Sequence, residues 1–418
     1  SSPEAFAEFG GAVGLDAATT VIGAAKRNQG TSTDAGAAFT FVLEPLSDEI
    51  SQETDVLTAA DAAADDGFGR AVGLSGDTTL IGIPDADPAG DADAGGVSAF
   101  ERNPDTQVFD DEKTLIAGDK AAFDNLGTAV SVDADIAVLG APNADIGADG
   151  DAGSAYVYNR DSVSGDWDQA VQLTAGADVA AAANFGAALA IDADIILIGV
   201  PADDPNGIIN AGVAFLFSRD PDEAALDQWS QTEKLTAGAD QSADDNFGAA
   251  VALNSDTALI GAPFENGSGA VYVFVRDPED NSWIRQQKLS ASDASPGDAF
   301  GNSVSGFGNT ALIGAPQADV TGVATDGAVY IFTRDPTRPA NPWTELQKLE
   351  LADAATGDAR TGGGETASKG TPHRMRAQFG DDRVPGRVGR DRTGAQRGDR
   401  PLRQRVRDGV LHEVTTFR

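Results

Sequence analysis

The chain has 418 residues, no cysteine and a formal net charge of −37 at pH 7. Without cysteine it can form neither disulfides nor thiolate metal sites. Phosphate backbones and anionic membrane surfaces repel so acidic a chain, which excludes nucleic-acid binding. No apolar run is long enough to span a bilayer, which excludes membrane insertion.

The charge is unevenly distributed along the chain. Residues 1–359 carry 59 acidic and 15 basic side chains, a net of −44, whereas residues 360–418 carry 7 acidic and 14 basic ones, a net of +7. A folded body this acidic repels itself unless salt screens the charges. Lysine is scarce and aspartate fills the loops, which favours a high-salt environment. An acidic secreted protein from ordinary salt is the alternative.

A repeat runs along the chain and begins in each unit with an aromatic or leucine followed by glycine. These residues, called wedge residues below, are Phe9, Phe68, Leu126, Phe185, Phe247 and Phe300. A second glycine follows the first by 13 residues and opens Gly-Ala-Pro or a variant of it: Gly23, Gly82, Gly140, Gly199, Gly261 and Gly314. The units end at a leucine: Leu57, Leu115, Leu173, Leu235, Leu289 and Leu349.

Each unit predicts four short strands, as the fifth unit illustrates. Residues 250–253 alternate between small alanine and the larger Val251 and Leu253, and a three-residue turn leads into the apolar strand 257–262. Pro263 ends that strand because proline cannot donate to a ladder. Residues 270–276 alternate again and are rich in β-branched and aromatic side chains. The stretch from Trp283 to Leu289 is polar and predicts the outermost strand.

The glycines and the wedge residues predict how the units pack. Gly248 and Gly261 lack a Cβ, so neighbouring backbones can approach closely or adopt positive φ there. Phe247 is the apolar side chain expected between neighbouring units. Four-stranded sheets repeated about every 58 residues fit an all-β propeller of antiparallel blades, whereas a linear array of sandwiches would need longer units.

We predict a propeller over residues 1–349, with six recognisable blades ending near 57, 115, 173, 235, 289 and 349 and a seventh missing or garbled. Residues 350–418 form a basic, arginine-rich tail. The register holds through residues 351–359 and fails at Arg360-Thr361, where Phe-Gly is due. The tail is therefore expected to be disordered, as a frame-shifted seventh blade; a genuine basic arm that docks on the acidic body is the alternative.

These motifs resemble the FG-GAP repeat, the blade of the integrin α-subunit propeller and of many prokaryotic surface proteins, and the acidic composition is similar to that of haloarchaeal proteins. The resemblance covers residues 1–349. It implies an extracellular or cell-surface protein that acts in adhesion or recognition. No signal peptide precedes Ser1, as expected of a processed or trimmed chain.

The resemblance also raises the question of calcium. Integrin-type repeats carry a calcium loop between Phe-Gly and Gly-Ala-Pro, but here tight turns such as 133–135 and 192–194 fill that space and cannot supply six to eight oxygen ligands. The loops after Gly-Ala-Pro, called post-GAP loops below, are acidic instead. They yield the candidate ligands Asp85, Asp87, Asp91, Asp93, Asp145, Asp149 and Asp151. The alternative is a solvated acidic loop in which Asp and Gly serve turn formation.

Other chemistry is sparse. Both histidines, His373 and His412, lie in the tail, so the propeller holds no Ser-His-Asp constellation and no catalytic residue is predicted. Asn266 begins an Asn-Gly-Ser glycosylation sequon, which matters if the protein is secreted. The Arg-Gly-Asp at 397–399 lies in an arginine-rich tract and is attributed to chance.

Three functions remain in view. The first is a non-enzymatic, salt-adapted surface propeller for adhesion, recognition or assembly, with a cell-surface protein or glycan as partner. The second is a module that binds a glycan, or a divalent cation such as calcium, through the post-GAP loops. The third is an enzyme that uses carboxylates for hydrolysis. An unclosed ring would also offer an open blade edge for self-association.

Overall fold

The computed structural model describes residues 7–44, 49–50, 55–178, 180–219, 229–319, 327–338 and 342–350. Within these ranges the chain forms twenty-five β-strands and five single-turn 3-10 segments. No helix in the described ranges is long and apolar enough to cross a membrane. The predicted seventh unit and the arginine-rich tail lie outside the described residues.

The strands group into six sheets, which are numbered here as blades 1 to 6. Blades 1 and 2 contain β1 (Phe9–Asp16), β2 (Thr19–Ala24), β3 (Ala37–Glu44), the two-residue β4 (Glu49–Ile50), β5 (Asp55–Leu57), β6 (Val72–Ser75), β7 (Thr78–Ile83), β8 (Gly96–Arg102) and β9 (Phe109–Leu115). Blades 3 and 4 contain β10 (Ala129–Asp133), β11 (Ile136–Ala141), β12 (Ser154–Arg160), β13 (Trp167–Leu173), β14 (Ala188–Asp192), β15 (Ile195–Val200), β16 (Val213–Ser218) and β17 (Ser230–Leu235). Blades 5 and 6 contain β18 (Ala250–Asn254), β19 (Thr257–Ala262), β20 (Ala270–Arg276), β21 (Trp283–Leu289), β22 (Ser303–Phe307), β23 (Thr310–Ala315), β24 (Ala328–Arg334) and β25 (Trp343–Leu349).

Blades 2 to 6 are antiparallel meanders in which sequential strands pair, and in blade 1 the strands β1, β2 and β3 pair in sequence while β5 pairs with β3. In blade 5 the order is β18-β19-β20-β21, with the polar strand β21 outermost. The predicted all-β propeller of four-stranded antiparallel blades, six of them recognisable, is therefore confirmed. Blade 1 adds a two-residue pairing of β4 with β3.

Five of the six wedge residues, Phe68, Leu126, Phe185, Phe247 and Phe300, fill the seams between consecutive blades, as predicted. Phe247 is fully buried and lies in one apolar cluster with Leu197 and Leu216 of blade 4 and with Ile260 and Tyr272 of blade 5. Its backbone N–H donates to a carbonyl of blade 4, that of Ala211, at 3.1 Å. Each of these seams thus contains an apolar core contributed by both blades and a backbone hydrogen bond between them.

The close approach of backbones explains the paired glycines. A Cβ on Gly261 would lie 2.0 Å from the carbonyl oxygen of Gly301 in the next blade, a distance that no side chain can occupy. Gly301 itself has φ +90, where a Cβ would meet the carbonyl of Ala270 at 2.5 Å. Only glycine satisfies both the space and the backbone angle.

The first strands of blades 2 to 6 surround a central channel. A cavity of about 330 Å³ there is lined mainly by small and β-branched residues of β6, β10, β14, β18 and β22 and of the segments just before them. Consecutive first strands pack against each other from β1 to β22. Among the described residues, β22 and β1 do not pack together in the same way.

Candidate functional site

Antiparallel topology places the connections on two opposite faces of the propeller. The loops between second and third strands and the lead-ins that join one blade to the next lie on one face, called the loop face. The turns between first and second strands and between third and fourth strands lie on the other, called the turn face. All seven predicted metal ligands and Asn266 are therefore on the loop face, which is the candidate site.

The post-GAP loops share one hydrogen bond. The Asp87 carboxylate accepts from the backbone N–H of Asp93 at 2.9 Å, and the Asp145 carboxylate accepts from that of Asp151 at 3.0 Å. Asp93 and Asp151 have φ +49 and +53, a left-handed conformation that aspartate tolerates. The same bond recurs between Asn28 and Asp34 and between Asp204 and Asn210. Four of the seven candidate ligands thus take part in turn formation.

The other three candidates are spread through their loops. Asp85 accepts from the Nδ2 of Asn125 at 3.2 Å, and burial raises the pKa of its carboxyl above the ordinary value. Asp91 forms an ion pair with Lys120. Asp149 is exposed. In the described ranges, no three His, Cys, Asp or Glu side chains gather as metal ligands, and calcium binding by these loops stays a prediction.

The lead-ins hold a second set of aspartates. The carboxylate of Asp66 accepts from the backbone N–H of Ala63 at 2.6 Å, and Asp245 accepts from that of Ser242 at 2.7 Å. Asp124 and Asp298 make the same bond, so these four aspartates cap turns. Burial raises the pKa of the Asp66, Asp124 and Asp245 carboxyls.

Phe123 is the side chain on the loop face that the sequence analysis missed. It is 59% exposed and has φ +70, a conformation that is strained for a bulky residue. Equivalent positions of other units carry Asp65, Ala182, Asp244 and Gly297. The N–H of Phe123 donates to the carbonyl of Ala92 at 2.8 Å, so the backbone of Phe123 lies beside the acidic loop 85–96. A phenylalanine where the other lead-ins have aspartate, alanine or glycine was the signal in the sequence that could have identified this residue.

Two further large apolar side chains are exposed on this face. Ile209, in the post-GAP loop of blade 4, is 60% exposed, and Phe264, in that of blade 5, is 53% exposed. Asn266 follows in the same loop and is also exposed, with its Nδ2 donating to Glu265 at 2.9 Å. The loop face therefore combines carboxylates with exposed aromatic and aliphatic groups.

Scarce lysines neutralise buried carboxylates near this face. Lys234 lies 3.3 Å from the buried Asp203, and Lys288 pairs with the buried Glu265. Each ammonium also lies near an aromatic ring, at 5.2 Å from Phe215 and 5.7 Å from Tyr272. The sequence analysis missed these pairs, although lysine directly before the terminal leucine in units 4 to 6 was visible.

On the turn face, aspartates predicted not to bind a cation join neighbouring blades. The Asp133 carboxylate accepts from the N–H of Ala193 at 2.7 Å, and that of Asp192 accepts from Ser255 at 2.6 Å. Asp16, Ser75 and Asn254 do the same for the blades that follow them. Asp135 and Asp194 instead pair with Arg160 and Arg219.

Comparison with known proteins agrees with this repeat. A family model described as FG-GAP repeat matches residues 52–100, 109–158, 167–217, 229–274 and 283–332, more than half of the chain. A search of curated proteins found no match. The structure of the periplasmic gluconolactonase PpgL from Pseudomonas aeruginosa is similar at a TM-score of 0.49 and 14% identity, over 81% of this chain and 84% of that one. So distant a similarity carries no information about activity.

Proposed function

The chain belongs to the FG-GAP repeat family, and from that premise we propose that it is a non-enzymatic recognition or adhesion module of an extracellular or cell-surface, high-salt environment. Its blades form a rigid scaffold, and its loop face makes the contacts. The integrin α-subunit propeller, which the repeats resemble, is the corresponding arrangement among surface receptors.

Phe123 is the observation that carries this proposal. A bulky side chain held at φ +70 and left 59% exposed costs stability twice, through backbone strain and through unburied apolar surface. Equivalent positions use aspartate, alanine or glycine, which accept that conformation more easily or leave no apolar surface exposed. Strain and exposure at one position are typical of a residue selected for contact with a ligand.

The charges support a high-salt, non-catalytic role. The net of −44 over residues 1–359 suits a protein that works where salt screens the surface. Asp66 and Asp87 cap turns, and Asp203 and Glu265 pair with lysine, which are structural roles for carboxylates of the loop face.

A glycan array in about 3 M KCl, probed with the full chain, tests the proposal. We expect binding to a subset of glycans, lost in Phe123→Asp and kept in Val163→Ala. Val163 is a suitable control because it is 94% exposed on the turn face. If Phe123→Asp binds like the wild type, or if Val163→Ala loses binding as well, Phe123 is not the recognition residue.

A divalent cation is the second candidate, favoured by the four aspartates of the loop 85–96, to which the backbone of Phe123 is hydrogen-bonded. Repeating the array with calcium, and with Asp91→Asn, separates the two. Calcium-dependent binding that Asp91→Asn abolishes assigns a cation to this loop. Binding that does not depend on calcium would mean that the loop makes polar contacts beside Phe123 and holds no cation.

A further inference from the structure

The seam between blade 6 and blade 1 differs from the other five. The wedge residues Phe68, Phe185, Phe247 and Phe300 are fully buried between two blades, and Leu126 is 1% exposed. Phe9 is 49% exposed. It contacts Phe39 and Phe41 of its own blade, with ring centroids 5.2 and 6.3 Å apart. Among the described residues, Phe9 therefore packs against its own blade alone, whereas its five counterparts pack against two blades.

The glycine beside each wedge residue gives an independent measure of the same difference. A Cβ on Gly69, Gly127, Gly186, Gly248 or Gly301 would lie 2.4–2.5 Å from a carbonyl oxygen of the preceding blade. A Cβ on Gly10 would meet no described residue within 4 Å. Yet Gly10 has φ +93, like Gly69 at +94. The backbone of blade 1 therefore has the conformation found in the closed seams, although no described residue occupies the place of a preceding blade.

Blade 6 is less buried on the matching side than the other blades are. The terminal leucines of the first five blades are 2–4% exposed, whereas Leu349 is 37% exposed. Val329 and Ile331 on β24 are half-buried, while the equivalent Val271 and Val273 of blade 5 are fully buried by blade 6. Blade 6 thus offers the surface that in every other blade receives the next wedge residue.

The sequence after blade 6 begins another lead-in but supplies no wedge residue. Asp353, Ala354, Gly357, Asp358 and Ala359 match residues 293, 294, 297, 298 and 299 position by position. The pair that should be Phe-Gly is Arg360-Thr361. An arginine in this apolar slot would leave a buried, unpaired charge, and a Thr Cβ would collide where Gly301 meets blade 5.

We propose that the open seam is a docking site for an FG-GAP blade presented by a second polypeptide. Continuity with the five filled seams identifies the occupant. It inserts a Phe-Gly pair against Val329, Ile331 and Leu349, and it presents a Gly-Ala-Pro strand to Phe9-Gly10. This site is separate from the loop face and does not depend on the function proposed for it.

The test uses the full chain and a labelled probe, a monomeric carrier fused to a copy of residues 290–349, which contains the wedge pair Phe300-Gly301. The control probe carries Phe300→Arg and Gly301→Thr, the pair found at 360–361. We expect the first probe to bind and the control to bind at least about tenfold more weakly. No binding by the first probe, or equal binding by both, overturns the proposal.

A variant of the full chain distinguishes lost docking from lost folding. Gly10→Ala adds a methyl where no described residue lies, so backbone strain alone should lower the melting temperature, by about 3 °C or less. The same methyl should block the probe, because the equivalent glycines of the closed seams leave no room for a Cβ. Gly69→Ala, at nearly the same φ, should lower the melting temperature by at least about 5 °C more. Equal losses for the two variants would mean that the seam is closed. A stable dimer of the chain without probe would assign the seam to a second copy instead, and would also overturn the proposal.

Discussion

Blades 5 and 6 carry nearly the same motif and differ in what surrounds it. In blade 5 the strand β19 is buried along its whole length, because blade 4 covers one side and blade 6 the other. In blade 6 the identical Thr-Ala-Leu-Ile-Gly-Ala has two half-buried residues, Thr310 and Leu312. Each blade therefore contributes an apolar layer on each of its two faces, and each layer becomes fully buried only when a neighbouring blade packs on it. Interior and terminal blades should therefore respond differently to the same perturbation.

The largest expected effect is that of salt on the whole propeller. The melting temperature should rise between about 0.1 M and about 3 M KCl, because screening removes the repulsion of the −44 net charge over residues 1–359. Hydrogen exchange measured at falling salt should show β1 and β25 losing protection before β18. Sucrose at matched osmolality is the control. An unchanged melting temperature would show that the acidic surface needs no screening.

The next effect compares two wedge residues directly. Phe247→Ala should lower the free energy of unfolding by about 3–5 kcal/mol, because it leaves a cavity in a closed seam. Phe9→Ala should cost at most about 2 kcal/mol, since half of its ring is already in solvent. Urea unfolding in high salt measures both. Equal losses would contradict the distinction between closed and open seams.

The pH dependence follows from the buried lead-in carboxyls. Burial raises the pKa of Asp66, Asp124 and Asp245 in the folded state above 3.8, so the folded chain binds protons that the unfolded chain does not. Stability should therefore rise as the pH falls from 7 through those raised values, and level off near 3.8. Below that the trend should reverse, because a hydrogen bond from Arg285 lowers the pKa of Asp240. Thermal melts at a series of pH values would reveal a monotonic loss if this account is wrong.

The smallest effect concerns the turn face. Asp192→Ala removes the acceptor for the N–H of Ser255 and should cost about 1 kcal/mol, whereas Asp192→Asn keeps an acceptor oxygen and should cost less. Calcium should change the stability of neither variant. A calcium-dependent difference between Asp192→Asn and the wild type would place a cation in the turn, contrary to our expectation.

Much of the fold could be predicted from the sequence because six copies report the same local constraints. Gly261 and Phe247 recur at fixed spacing, and one physical reason serves every copy. The pairing of Lys234 with Asp203 could not be predicted in this way, because the partners lie 31 residues apart and face each other only after the blade has folded. The strain at Phe123 could not be predicted either, because the sequence alone does not show that this position has a positive φ.

The exposure of Phe9 could not be predicted either, because its motif is intact. Nothing local distinguishes Phe9-Gly10 from Phe68-Gly69. The difference is that no blade among the described residues packs against Phe9 from the other side, which the motif does not encode. The candidate metal ligands show the opposite case: aspartates that attract attention in sequence, such as Asp87, take part in a hydrogen bond within their own loop.

The wedge arrangement also imposes a direction on synthesis. The core of each of blades 1 to 5 is completed by a phenylalanine or leucine that belongs to the next blade, 11 or 12 residues beyond its own last leucine, as from Leu57 to Phe68. A nascent blade leaving the ribosome therefore waits about one to two seconds for its closing residue at typical elongation rates. During that interval its apolar face is open to chaperones and to neighbouring chains, so a translational pause just after a terminal leucine would lengthen the exposure most.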